Sequence, residues 1–207
     1  MKRMTKRIFL GGVVAALAIS AVFSATASAA PAWNFAGKAL EGNETVMGAA
    51  YESSLTIPGL TTKCENFLYK LTIKNEAGTG KGELTEMPLY NCTTNSPACA
   101  VKTIAAETLP WPAHLTKIET SNYIVVEKAK VGITYSGIEC VLKGIAVKVT
   151  GSAGGLLDNT AETATFNAAT LKTTKTELRA LENPIEWNGV FPTEAFEWHR
   201  EQALTVS

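Results

Sequence analysis

The chain has 207 residues, 19 basic and 19 acidic side chains, 46% hydrophobic and 8% aromatic content. That balance excludes a nucleic-acid binder, which needs a clustered basic surface, and no charge run forms a membrane-binding tail. A chain of this length makes one domain or at most two small ones and can bury about 70% of its unfolded surface.

Residues 1–29 have the three parts of an export signal. Lys2, Arg3, Lys6 and Arg7 supply a basic start, the stretch from Ile8 to Phe23 is uncharged and mostly aliphatic, and Ala27-Ser28-Ala29 places small side chains before a cut. The apolar stretch is shorter than the roughly 18 to 20 residues that span a bilayer, so cleavage is expected, with no transmembrane anchor afterwards. The mature chain is expected to begin at Ala30, and no Cys stands at the cut to carry a lipid. Lys6-Arg7 resembles a twin-arginine signal with Lys in place of the first Arg; the general export route is the simpler expectation, because both residues are usual in any basic start. Cleavage removes four of the 19 basic residues and none of the acidic ones, leaving 15 against 19, a net charge of −4.

Beyond the signal, residues 30–207 read as a single β-rich extracellular domain. Phe67, Tyr69, Leu71 and Ile73 alternate with Leu68, Lys70, Thr72 and Lys74, the period of two that buries one face of a sheet. Asn75 to Gly80 reads as a turn and Lys81 to Tyr90 as the returning strand. Further strand runs are Ala100 to Glu107, His114 to Thr120, Asn122 to Lys128, Lys130 to Tyr135, Glu139 to Thr150 and Glu162 to Thr173. Gly151 to Gly155 reads as a loop, and Asp158-Asn159-Thr160 as a turn. Lys175 to Glu182 and Thr193 to Leu204 fit a helix or a strand equally well. About eight to eleven strands, with few or no helices between them, predict an all-β antiparallel sandwich or barrel; a parallel α/β sheet would need intervening helices.

Four cysteines, Cys64, Cys92, Cys99 and Cys140, lie in the part expected to reach an oxidising compartment, where paired thiols persist. Three connectivities are open. The turn-rich loop from Thr93 to Ala98 favours Cys92 with Cys99, which leaves Cys64 for Cys140. Zinc is not expected, because six residues separate the nearest two cysteines and neither histidine is near them in the sequence. No other metal and no cofactor is implied; Asp158 is the only Asp, and calcium loops draw heavily on Asp.

An ordered set of short motifs carries a resemblance. Thr61-Thr62-Lys63-Cys64-Glu65, Gly82-Glu83, Leu89-Tyr90-Asn91-Cys92, Cys99, Leu109-Pro110-Trp111, Ile138-Glu139-Cys140 and Val147 to Ser152 occur in that order. Together they resemble uncharacterised secreted β-rich proteins of soil actinobacteria, over roughly Leu55 to Leu171. The resemblance implies export and β structure and brings no activity or functional residue.

No catalytic residue is assigned. His114 and His199 stand in no nucleophile–base motif, and no Gly-x-Ser-x-Gly elbow occurs. The 18 Glu leave a glycosidase-like hydrolase as the alternative, since such enzymes need only two carboxylates. Trp33, Trp111, Trp187 and Trp198 are the aromatic candidates for a binding face, and Trp111, held between Pro110 and Pro112, is the candidate ligand contact. The expectation is a secreted, non-enzymatic envelope or extracellular domain that binds a glycan, a protein or an apolar ligand, or builds surface structure.

Overall fold

The structure, a computed structural model, describes residues 30–35, 37–193 and 204–207, with backbone alone at Tyr51 and Glu52. The expected signal segment therefore lies outside the described residues, as do His199, Trp198 and nearly all of the stretch from Thr193 to Leu204 that fitted helix and strand equally.

Fourteen strands and one helix follow in order among the described residues. They are β1 (Trp33–Phe35), β2 (Lys38–Ala39), β3 (Glu44–Ile57), β4 (Leu60–Glu76), β5 (Thr79–Glu86), β6 (Leu89–Thr94), β7 (Ala100–Ala106), β8 (Trp111–Ile118), β9 (Ser121–Ser136), β10 (Ala146–Asp158), β11 (Thr163–Phe166), α1 (Ala168–Thr174), β12 (Leu178–Ala180), β13 (Asn183–Pro192) and β14 (Leu204–Val206). The fold is all-β, antiparallel and sandwich-like. Eleven strands form one sheet, and β14, β1 and β2 form a separate three-stranded sheet.

The large sheet closes on itself. Antiparallel ladders run β3 to β4, β4 to β5, β5 to β8, β8 to β9, β9 to β10, β10 to β11, β11 to β13 and β13 back to β3, a ring of eight strands. Closure leaves no unpaired edge around this ring. Toward the other end three short strands take over: β6 replaces β5 beside β4, β7 replaces β8 beside β9, and β12 replaces β11 between β10 and β13.

The alternation read in β4 is what the interior uses. Phe67, Leu71 and Ile73 are buried and Tyr69 packs against the core, while Lys70, Thr72 and Lys74 are more accessible. The two runs around Lys128 are one strand, β9; Lys128 has a positive φ and the register to β10 shifts there, so the apparent break is a bulge.

The run from Glu139 to Thr150 enters a strand only at Ala146, and three further expectations are corrected. Gly151 to Gly155 is not a loop but the middle of β10. Glycine is needed there for close approach: a Cβ on Gly154 would lie 2.0 Å from the Thr174 hydroxyl oxygen, and one on Gly155 would lie 2.7 Å from the Phe166 ring. The run from Glu162 to Thr173 is not one strand, because β11 ends at Phe166 and α1 begins at Ala168. Asn167 caps that helix, accepting from the Thr170 amide while the Thr170 hydroxyl accepts from the Asn167 amide. Lys175 ends it in the left-handed conformation, and within Lys175 to Glu182 the regular element is β12.

The cysteine pairing is the third correction: the bridges are Cys64–Cys92 and Cys99–Cys140. Cys64 and Cys92 stand directly opposite each other in the β4–β6 ladder, with Cα atoms 4.0 Å apart, so sheet register decides the pair rather than loop length. Cys99, just before β7, then reaches Cys140 in the β9–β10 connection, with Cα atoms 4.8 Å apart. Both bridges lie toward the end of the ring away from β1, β2 and β14.

Candidate functional site

The small sheet caps one end of the ring. β1 pairs with β14 and β2, and Trp33, Leu204 and Val206 point into the core. Asn75, at the end of β4, fixes one side of the cap: its Oδ1 accepts from the Trp33 amide at 2.8 Å and its Nδ2 donates to the Trp33 carbonyl at 2.9 Å. Gly80 N–H donates to the Pro31 carbonyl, and the Trp33 indole donates to the Lys81 carbonyl. Asn159, after β10, fixes the other side in the same way. Its Nδ2 donates to the Val206 carbonyl at 2.7 Å and its Oδ1 accepts from the Val206 amide at 3.0 Å. The turn that presents Asn159 is built by Asp158, whose carboxylate accepts from the amides of Thr160 and Ala161; those bonds hold its pKa below the usual carboxylate value.

Beneath the cap lies a cavity of about 70 Å³ whose wall is almost entirely apolar. Trp33 and Leu204 roof it, Val46, Leu71 and Val126 are among the aliphatic side chains around it, and a cluster of rings forms one wall. In that cluster Phe191 meets Phe67, Phe166 and Trp187 edge-on, with centroids 5.1, 5.2 and 5.5 Å apart, and Phe166 stacks on Trp187 at 4.8 Å. Such pairs contribute about 0.5–1.5 kcal/mol each beyond their burial. A second void of about 20 Å³ lies deeper, and Phe67, Met87 and Trp187 border both. Met87 is the adaptable part of that partition, because its unbranched side chain re-rotates at low cost.

Few polar atoms face this region. The Trp187 indole donates to the Ser53 hydroxyl at 2.8 Å, and the Tyr69 hydroxyl donates to the Pro192 carbonyl. Burial pushes the Tyr69 phenol well above its ordinary value. Asn122, across the β9–β10 ladder from the cavity-lining Leu157, has a buried amide oxygen with no partner among the described residues.

The aromatic candidates are located differently from an exposed binding face. Trp33 and Trp111 are each 1% exposed and Trp187 is 6% exposed. Trp111 donates its indole N–H to the Glu107 carbonyl at 2.8 Å and borders the deeper void, so any ligand contact by it would be internal. His114 lies on the outer face of β8, with Nδ1 3.4 Å from Glu127 Oε1; both side chains are partly exposed. Among the described residues no group of three or more His, Cys, Asp or Glu side chains is arranged to hold a metal. Sequence reasoning missed Asn75 and Asn159 as functional positions. Both were legible as turn residues, but nothing local tells that their amides grip the terminal strands.

The chain matches no protein-family model, no curated protein and no solved structure. Among the described residues no helix is long and apolar enough to cross a membrane.

Proposed function

We propose that the protein is an exported, non-enzymatic domain of the cell envelope or its surroundings that holds a small apolar molecule inside its ring of strands. The observation that carries this reading is the apolar cavity beneath the clamped cap. A ring of eight strands is at the size where side chains either fill the interior or share it with one small ligand. The cap is made of three short strands with few ladder bonds of their own, so release of the two asparagine clamps is the local opening that gives a ligand its way in. Two disulfides fit an oxidising, extracellular destination. The same reading puts the cleavage site before Ala30 and the chain among the secreted actinobacterial proteins that its motifs resemble.

The test is binding of p-xylene and toluene by the purified exported protein. At ten times its Kd a ligand adds about 1.4 kcal/mol of stability, which raises Tm by about 3–5 °C for a domain of this size. No shift and no calorimetric heat with either compound, up to their solubility, would remove the reading. A second reading, hydrolysis by paired carboxylates, draws on Glu83 and Glu127, which line one broad outer depression with His114. Sugar release from cell-wall polysaccharide that is lost in Glu127→Gln would favour it.

A further inference from the structure

Apart from the Thr193 hydroxyl, which can donate or accept, the unused hydrogen-bonding capacity at and beside the cavity is for accepting. Both indole N–H groups at its wall are committed, that of Trp33 to the Lys81 carbonyl and that of Trp187 to the Ser53 hydroxyl. The Tyr69 proton is committed to the Pro192 carbonyl, yet the phenol oxygen keeps lone pairs with which to accept. The orphan amide oxygen of Asn122 is again an acceptor. A molecule that satisfies such a wall brings a donor, and an apolar body to go with it.

The rest of its chemistry follows from the lining. Four edge-on contacts converge on Phe191, from Phe67, Tyr69, Phe166 and Trp187, an arrangement that one more flat ring extends. A space of about 70 Å³ is roughly half that of an apolar cavity that takes benzene, so a single small ring enters only as side chains such as Met87 move aside and the deeper void is joined to it. A charged group would lose its hydration without a counter-charge in the wall. We infer that the cavity takes an uncharged, single-ring phenol, its ring against Phe67, Phe166 and Phe191 and its hydroxyl donating to the Tyr69 oxygen. This inference rests on the ligand-holding function proposed above. The donated bond continues the chain from Tyr69 to the Pro192 carbonyl, and hydrogen bonds in series strengthen one another in a medium of low polarity.

The experiment compares p-cresol with p-xylene, which has the same shape and a methyl in place of the hydroxyl, by calorimetry on the full exported protein and on Tyr69→Phe. A buried neutral hydrogen bond contributes about 0.5–1.5 kcal/mol, so Tyr69→Phe should weaken p-cresol roughly two- to tenfold and leave p-xylene within twofold. As a control that does not alter the protein's wall, 4-fluorotoluene, which cannot donate, should bind wild type and Tyr69→Phe alike. Equal changes for p-cresol and p-xylene overturn the assignment of the hydroxyl to Tyr69. Loss of the p-cresol preference in Asn122→Leu rather than in Tyr69→Phe overturns it as well. If p-xylene binds and p-cresol does not, the phenol inference fails while the ligand-holding function stands; if neither binds wild type, both fail. Should Tyr69→Phe not fold, the p-cresol to 4-fluorotoluene ratio in wild type decides: a ratio at or below that of their partitioning from water into an apolar solvent rules the donated bond out.

Discussion

Asn75 and Asn159 hold opposite members of one backbone pair. Trp33 and Val206 face each other in the β1–β14 ladder, and each has both its amide and its carbonyl taken by the side chain of one of these asparagines. A side-chain amide matches a peptide group in donor and acceptor, so each asparagine acts as a one-residue extension of the small sheet into the rim of the ring.

Replacing Asn159 by Ala removes two bonds to partly buried backbone groups, and replacing Asn75 removes three, the third being a longer one to the Leu40 carbonyl. At about 1 kcal/mol per bond, plus a penalty for groups left unpaired, Asn75→Ala and Asn159→Ala should each destabilise the protein by about 2–3 kcal/mol. Because both clamp the same sheet, the double variant should cost less than the sum. Hydrogen exchange should accelerate first at Trp33, Phe35 and Val206, and ligand association should quicken with it. Uniform acceleration through β9 and β10 would show that the cap is not an independent unit.

Gly154 is the point at which α1 rests on β10. A methyl group there meets the Thr174 hydroxyl, itself bonded to the Thr170 carbonyl, so Gly154→Ala should cost about 1–3 kcal/mol by overpacking. Thr174→Ala in the same chain removes the hydroxyl and the γ-methyl but leaves Cβ 2.6 Å away, so it should recover only part of the loss. Denaturant midpoints of the two single variants and the double variant check this; strict additivity would mean that the clash is relieved elsewhere.

Alkaline stability should reflect two buried phenols. Burial raises Tyr69 and Tyr135 above the ordinary tyrosine value near 10, and in Tyr135 the 2.8 Å hydrogen bond with Thr62 partly offsets it. The unfolded chain then gives up these protons first, so the stabilisation is complete below about pH 10 and is lost as pH rises toward the native values. Urea midpoints between pH 8 and 11 should fall in wild type and fall less steeply in Tyr69→Phe.

The disulfides close loops of 28 and 41 residues, for which the chain-entropy model gives roughly 3.5 and 4 kcal/mol as upper figures. Cys64→Ala with Cys92→Ala and Cys99→Ala with Cys140→Ala should therefore lower stability by similar amounts. Non-reducing peptide maps should join Cys64 to Cys92. A peptide holding Cys92 and Cys99 bridged to each other would refute the register in β4 and β6.

Strand content was legible because the buried positions of β4 from Phe67 to Ile73 keep a period of two, and the turns at Asn75 to Gly80 and at Asp158 carry their own side-chain chemistry. α1 was hidden because its seven residues include Thr170, Thr173 and Thr174, which favour strands; the capping pair Asn167 and Thr170 was its one local sign. The glycine-rich part of β10 looked like a loop because close approach and chain flexibility call for the same residue. Disulfide pairing and the cavity depend on which distant strands become neighbours. Phe67 and Phe191 are 124 positions apart in the chain, and no local pattern brings their rings together.

The account stands most directly on where a small apolar molecule sits. Methyl-resolved NMR during a p-xylene titration measures this, in wild type and in Ala164→Leu, which places extra carbon in the cavity wall. The account predicts saturable shifts centred on Val46, Leu71, Val126 and Leu204, and their disappearance in folded Ala164→Leu. Shifts spread over outward-facing methyls, or unchanged by that substitution, would contradict it.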